Sequence, residues 1–488
     1  LQRGKAFVSA CADVTVKRWL SIWLETVPEE ELGWALKRRF SSFVTNELGD
    51  FGGTLLSQVR LADAYRFSRK LPKGWRDAAY DFLDYGLRAA KRAGLTKVFP
   101  GFPAKRVIGY SIYRGVQLVF SGALVLSLVV SGFALDRIVR YKEDALTAYA
   151  TIARENGFGV VVAFAEDIYY GYLNTPRVGG EATLASDFGD GSEGSNAEAA
   201  TIANNPAWGV AGVPSEMPSR LASPVTPEVG EGLWRSTNIM VNGTSAIRIA
   251  RVRPDTEHTS YFATLAWLDP KLLAFSQVPG TDVPEGNFDR GNGQVPIELK
   301  PYYVAGLNDA FLMRDSQGGY VYEGTVVKKL RDGKATLVTY KDGSIGVLKW
   351  GRDRPTGAIQ AARQNLTLLV DGGVSQVTDE SQSKWGWVWH GVGSGKNLVW
   401  RSAIGIRADG TVVYCIGSTL SARSLADMMV RAGAVTAMPL DMNSAYANGF
   451  LYGPYEGGKR IDPAIYREPD RFLAPSERDF IAVYAKSP

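Results

Sequence analysis

The pattern of apolar and polar positions changes character along the chain, and each change predicts a different kind of structure. Residues 1–104 place apolar residues at helical spacing among charges; within 75–94, Ala79, Phe82, Leu83, Tyr85 and Leu87 share a run that Gly94 ends. That is the pattern of partly amphipathic helices. Residues 116–135, VQLVFSGALVLSLVVSGFAL, hold no charge over twenty positions. At about 1.5 Å per residue they match a hydrocarbon core of roughly 30 Å, which predicts a membrane-spanning helix. A helix and then an apolar segment are expected over 145–172. Residues 176–230 are rich in Gly, Ser, Ala, Asn and Pro, a composition suited to irregular chain. From Glu231 onward, alternation with a period of two takes over. It runs through 244–252, 258–267 and the pair 335–340 and 344–350, the last two flanking a Lys-Asp-Gly turn.

Residues 400–443 carry the most explicit pattern. Two apolar-rich strands flank Ala408-Asp409-Gly410, which is hairpin chemistry. A helix follows, with Leu425, Met428 and Met429 at helical spacing and Gly433 where a left-handed cap is expected. Residues 434–440 then read as a short buried strand that delivers Asp441 at its carboxyl end. In sheets joined by crossover helices, ligands sit at that end. Arg401 on one strand and Asp441 on another are therefore expected to face one pocket.

These elements predict an α+β chain in five parts. They are a cytoplasmic helical region (1–106), a transmembrane helix (107–138), a membrane-proximal segment (139–176), a linker (177–230) and an exported mixed-sheet domain (231–488). Charge sets the orientation. Residues 1–115 hold 20 Lys and Arg against 11 Asp and Glu, and the remainder holds 35 against 39. The 86–115 flank carries seven basic residues and no acid, whereas 136–165 carries four of each. A cytoplasmic excess of Lys and Arg places the N-terminus inside and the C-terminal part outside, with the span as both export signal and anchor. Residues 1–106 are then open to a cytoplasmic partner. A membrane accounts for the basic segment better than nucleic acid does, and no nucleic-acid partner is expected.

Several chemistries are disfavoured. Cys11 and Cys415 fall on opposite sides of the span and cannot pair, and two histidines are too few for a histidine-rich metal site. No cofactor is predicted. Gly393-Ser394-Gly395-Lys396 resembles the end of a phosphate loop, but the first glycine is missing and Asn397 replaces Ser or Thr.

Six landmarks occur in order: EGLWR at 231–235, RPDTEHTSY at 253–261, LNDAFLMRDSQGGYVYEG at 307–324, RQNLTLLVDGG at 363–373, WRSAIGI at 400–406 and MPLDMN at 438–443. Over 231–450 the chain resembles the phosphodiester glycosidase family, whose animal member uncovers mannose-6-phosphate by removing GlcNAc. The upstream segment GFGVVVAFAEDIYYGYLNTPRVGG at 157–180 resembles the membrane-proximal part of actinobacterial relatives. The resemblance implies a membrane-anchored hydrolase acting outside the cell on sugar-1-phosphodiester bonds of envelope glycans. Two departures stand out. The family's acid precedes a glycine run and Ser, where backbone amides approach an anion closely; here Asp441 precedes Met442-Asn443-Ser444. The family asparagine before a Gly-Gly/Phe step corresponds to Asn308, followed here by Asp309-Ala310-Phe311.

The residue types suit that chemistry. Cleavage at an anomeric carbon passes through an oxocarbenium-like transition state. The departing phosphate is weakly basic, so a fixed cation helps more than a proton, and arginine supplies one with a two-pronged fork. Arg401 is the first candidate, with Arg363 behind it. Asp441 is expected to activate water or attack the anomeric carbon, and Asp371 and Glu323 are alternatives. His258 is a candidate for binding phosphate or transferring a proton. Asn308 and Asn443 are candidates for fixing sugar hydroxyls. Each has a plainer role: a strand-edge ion pair for Arg401, a turn cap for Asp441, a structural histidine, and turn chemistry for Asp371-Gly372-Gly373 and Glu323-Gly324. Two further readings of the whole chain stand beside the enzyme. One is a wall-glycan-binding or scaffold protein on the same fold, and the other is a signalling protein read through 1–104.

Overall fold

The computed structural model describes residues 131–139, 145–156, 175–181, 207–209, 214–216, 219–386 and 397–486, together with 162 and 165. The helices expected over 1–106 and most of the apolar span lie outside the described residues, although 131–139 is helical. Among the described residues no helix is long and apolar enough to cross a membrane. The chain divides into two units, 1–140 and 141–488.

Among the described residues, period-two alternation builds three large sheets and one two-stranded sheet in the second unit. The largest runs β1 (Arg235–Ser236), β4 (Ile247–Val252), β5 (Ala263–Leu268), β16 (Val412–Leu420), β15 (Val399–Arg407), β17 (Ala434–Pro439), β13 (Val370–Asp371), β14 (Val374–Ser375). A second runs β11 (Ile345–Lys349), β10 (Ala335–Tyr340), β12 (Ile359–Gln364), β8 (Tyr320–Tyr322), β9 (Thr325–Lys328). The third runs β19 (Lys459–Arg460), β18 (Gly449–Leu451), β7 (Tyr303–Asn308), β20 (Phe480–Ala485), β6 (Leu273–Val278). A small hairpin pairs β2 (Met240–Val241) with β3 (Thr244–Ser245). Among the described residues three α-helices accompany them: α1 (Ala145–Glu155), α2 (Met313–Ser316) and α3 (Ala422–Arg431).

The domain is mostly β with few helices, and the mixed sheet expected from the sequence is not found. Every ladder among the described strands is antiparallel. The reason lies in the unit at 400–443. β15 sits between β16 and β17 and pairs antiparallel with both. The two strands joined by α3 therefore point the same way without touching.

The helix in that unit forms as its sequence demands. The Ser421 hydroxyl accepts from the Ser424 N–H at 3.0 Å, and the Ser424 hydroxyl accepts from the Ser421 N–H at 2.9 Å. This reciprocal cap satisfies two otherwise orphaned donors. Gly433 ends the helix at φ +80°. Leu425, Met428 and Met429 are buried with Ala403, Val413 and Cys415 on one face of the large sheet. Ile404, Tyr414, Ile416 and Met438 point the other way, into a core shared with Phe275, Leu307, Phe450 and Ile481 of the third sheet. Successive strand residues face opposite sides, so β15 feeds two separate cores. Burying each large apolar side chain contributes about 1.5–3 kcal/mol.

Two sequence expectations shift. His258 to Tyr261 forms a turn, and the strand begins at Ala263. Parts of the expected linker 177–230 pack on the domain: Leu221 is buried, the Trp208 ring lies tilted against Tyr484 at 5.2 Å, and Ser215 donates to Asp269.

Candidate active site

Asp441 follows β17 on the side of the sheet facing β7 and β20. Its backbone carbonyl accepts from Ser402 N–H at 2.9 Å and from the Ser402 hydroxyl at 3.1 Å. One carboxylate oxygen accepts from the N–H groups of Met442 and Asn443 at 2.7 and 3.2 Å. The other accepts from Arg478 Nη2 at 2.7 Å. Neither Met442 nor Asn443 takes a positive φ. The loop therefore brings two amides to the acid without the family's glycines, and these amides hold Asp441 itself. Burial raises the Asp441 pKa above the ordinary carboxylate value, against the opposing pull of Arg478 and the two amides.

Arg478 stands just before β20, donates also to the Ala310 carbonyl at 3.4 Å, and lies over the Tyr446 ring at 4.3 Å. Its neighbour Asp479 accepts from Arg363 Nε at 2.8 Å, with both side chains buried. Arg363 further donates to the Phe311 carbonyl at 2.6 Å. Asp309 completes the cluster. It is buried, and neither carboxyl oxygen makes a well-formed hydrogen bond, although the Ala310 N–H lies nearby. Burial first, and the negative charge of Asp479 second, push its pKa up to about 8. The charge count agrees: three carboxyls face two guanidiniums, and a proton on Asp309 makes the cluster neutral.

The sequence-predicted residues fall into two groups. Asp441, Asn443, Asn308 and Arg363 come together here. Asn308 does so in a different role from the one expected. Its amide donates to Ser402 Oγ and the Asp309 carbonyl, each at 3.0 Å, and its oxygen accepts from Tyr414 at 2.7 Å and from the Asn448 N–H at 3.1 Å. All four hydrogen-bonding positions of the amide are used, so it holds strands together rather than a sugar. Asn443 likewise spends its side-chain oxygen on the Ala445 N–H at 2.7 Å, closing the turn.

Arg401 does not share a pocket with Asp441, because it and Ser402 are successive strand residues and face opposite sides. Its guanidinium turns toward α3's side and donates to the carbonyls of Leu420 at 2.7 Å, Trp385 at 3.0 Å and Asn397 at 3.4 Å. These partners are neutral, and burial pulls its pKa down to about 10. His258 pairs through Nδ1 with Asp255 at 3.1 Å, while Asp255 also accepts the His258 and Glu257 N–H groups. That is a structural turn. Asp371 is a surface residue bonded to Arg352 at 2.6 Å, beside the left-handed pair Gly372-Gly373 that closes the β13–β14 hairpin. Glu323 turns β8 into β9 and pairs with Lys341 at 3.5 Å, away from Asp441 on the second sheet.

Sequence reasoning missed Arg478, Asp309 and Asp479. A signal was present: Glu477-Arg478-Asp479 leads directly into the apolar strand FIAVYA, and charges at a buried strand's mouth need partners. The landmarks EGLWR and RPDTEHTSY have a structural explanation, since buried Glu231 and Arg253 join them at 2.6 Å. Among the described residues no group of three or more His, Cys, Asp or Glu is placed to hold a metal ion.

Residues 302–441 match the family described as phosphodiester glycosidase, and so bear out the resemblance read from the landmarks over that segment. No curated protein matches the chain. Similar solved structures include a hypothetical protein from Synechocystis, at 12% identity and a TM-score of 0.34 over 50% of this chain. This chain spans 63% of that protein's length. Another is the zebrafish N-acetylglucosamine-1-phosphodiester alpha-N-acetylglucosaminidase catalytic domain auto-inhibited by its pro-peptide, at 14% identity and a TM-score of 0.33. That match covers 55% of this chain and 87% of the zebrafish domain.

Proposed function

We propose that this chain, which matches the phosphodiester glycosidase family over residues 302–441, hydrolyses sugar-1-phosphodiesters, with Asp441 as general base and Arg478 as the cation for the departing phosphate. The observation that carries this reading is the buried Asp441–Arg478 contact of 2.7 Å at the end of β17. A carboxylate whose pKa is raised by burial, as that of Asp441 is, is a stronger base. Asp441 takes a proton from water as its oxygen attacks the anomeric carbon. The bond from that carbon to the phosphate oxygen breaks, and the phosphate leaves with the electron pair as a phosphomonoester. Arg478 offsets the developing charge in a site of low dielectric, where such a contact is stronger than in water. Asp309, protonated, keeps the surrounding cluster neutral so that neither guanidinium is drawn from its place.

The location and the natural substrate belong to the same proposal. The uncharged run 116–135 and its basic flank support a membrane anchor with the domain outside the cell, in the manner of actinobacterial relatives. An envelope glycan carrying sugar-phosphate linkages is then the substrate within reach. The direct test is release of GlcNAc from a GlcNAc-1-phosphodiester by the full chain, beside Asp441→Asn. Turnover lost in that variant is the expected result. Glycan binding without turnover in the wild-type chain would favour a scaffold role instead.

A further inference from the structure

A cavity of about 1000 Å3 opens between the second sheet and β6, apart from the Asp441 cluster. Half-buried Trp208, Phe288 and Tyr322 present rings to it, and Gln277 and Gln360 stand among them. The Phe288 and Tyr322 rings meet edge to face at 5.8 Å. Its formal charges balance, Arg290 and Lys341 against Asp289 and Glu323. Arg290 donates to the Thr281 and Gly286 carbonyls and covers the Phe288 ring at 4.7 Å, while Lys341 pairs with Glu323. With no net charge, the lining suits an uncharged ligand rather than a phosphate.

Gln277 is 2% exposed and spends its Nε2 on the Leu337 carbonyl at 3.2 Å, so its amide belongs to the interior wall and not to a ligand. One further observation points to a ligand, the backbone strain at Glu323. Glu323 and Gly324 adopt φ of +45° and +79° in the two-residue turn between β8 and β9. That turn favours Asn, Asp or Gly at both positions, and a glutamate held there against its preference marks a functional constraint.

The geometry points to this cavity as a binding cleft for a neutral oligosaccharide. Aromatic rings pack on the apolar C–H faces of pyranoses, while carboxylates such as those of Asp289 and Glu323 take hydroxyls. The cleft is also linked to the acid cluster. Tyr322 stacks on Tyr320 at 6.0 Å, and Arg363 covers Tyr320 at 5.8 Å. Sugar held here would be the uncharged remainder of a longer glycan. The binding itself stands independently of the hydrolase reading.

The test is calorimetric titration of the full chain with two probes, an N-acetylglucosamine tetramer and a glucose tetramer. At least one binds. Tyr322→Ala weakens it by about tenfold or more, a loss typical of a buried aromatic anchor. Tyr322→Phe keeps the ring and stays within about threefold, and Asp441→Asn leaves binding unchanged. Glu323→Asn guards against misfolding: it relaxes the turn, so its melting temperature holds or rises while its affinity falls. The inference is overturned if neither sugar binds, or if Tyr322→Ala and Glu323→Asn both bind as well as wild type. Loss of binding in Asp441→Asn alone would place the sugar in the acid cluster and overturn it too.

Discussion

Arg401 and Arg478 are both buried, yet their surroundings give them opposite chemistry. Arg401 donates to neutral backbone carbonyls, and burial lowers its pKa to about 10. Arg478 suffers the same burial, but Asp441 and the neighbouring acids more than offset it, so its pKa rises above the ordinary value. The first ties chain segments together. The second keeps a firm charge beside a carboxylate. Burial alone does not make an arginine functional; what it faces does.

The sharpest way to break this contrast is at the acid. Asp441→Asn is expected to cut kcat by about 10²–10⁴-fold, the usual contribution of a general base, in assays of GlcNAc release, with the fold intact by circular dichroism. An unchanged rate would remove Asp441 from the mechanism. Arg478→Ala should cost about 10²–10³-fold in kcat, as loss of a charge-stabilising group does. Arg401→Ala should instead leave kcat of the folded protein within about threefold and destabilise it by about 3 kcal/mol, because buried carbonyls lose their donors. Urea unfolding separates the two. If Arg401→Ala lost activity without losing stability, the contrast between the two arginines would fail.

Asp309 sharpens the comparison through pH. Its folded pKa of about 8 lies above its unfolded value of about 3.9, so the folded state binds the extra proton. The stability this provides is complete below the unfolded value and is lost as pH rises through about 8. Asp309→Asn should flatten the fall in melting temperature between about pH 5 and pH 9. An equal fall in wild type and variant would assign it to other groups. The smallest effect belongs to the surface pair: Asp371→Ala should shift stability by about 1 kcal/mol or less and leave kcat unchanged, measured by thermal melting and GlcNAc release.

Much of the architecture was legible because it is local. The 408–410 hairpin, the capped helix with Leu425 and Met428 on its buried face and the left-handed Gly433 all follow from spacing within a few residues. The acid at the end of β17 followed too. What went astray depended on which face a residue occupies. Arg401 and Ser402 are indistinguishable as strand positions until the register is known, and a one-residue shift exchanges their sides. His258 and Asp371 carry suitable chemistry but sit at turns where each side chain is paired with a neighbour, Asp255 and Arg352.

The amino-acid order thus determined where the strands, the helix caps and the turns would form, since these rest on short-range periodicity and backbone preference. It also carried the family's landmarks over 302–441. Which charges meet was decided only in three dimensions. Asp309, Arg363, Asp441 and Arg478 come from four separate stretches, and β7, β12, β17 and β20 bring them together. No local pattern encodes that meeting, because its energy comes from mutual burial, and burial exists only once the sheets have closed on one another.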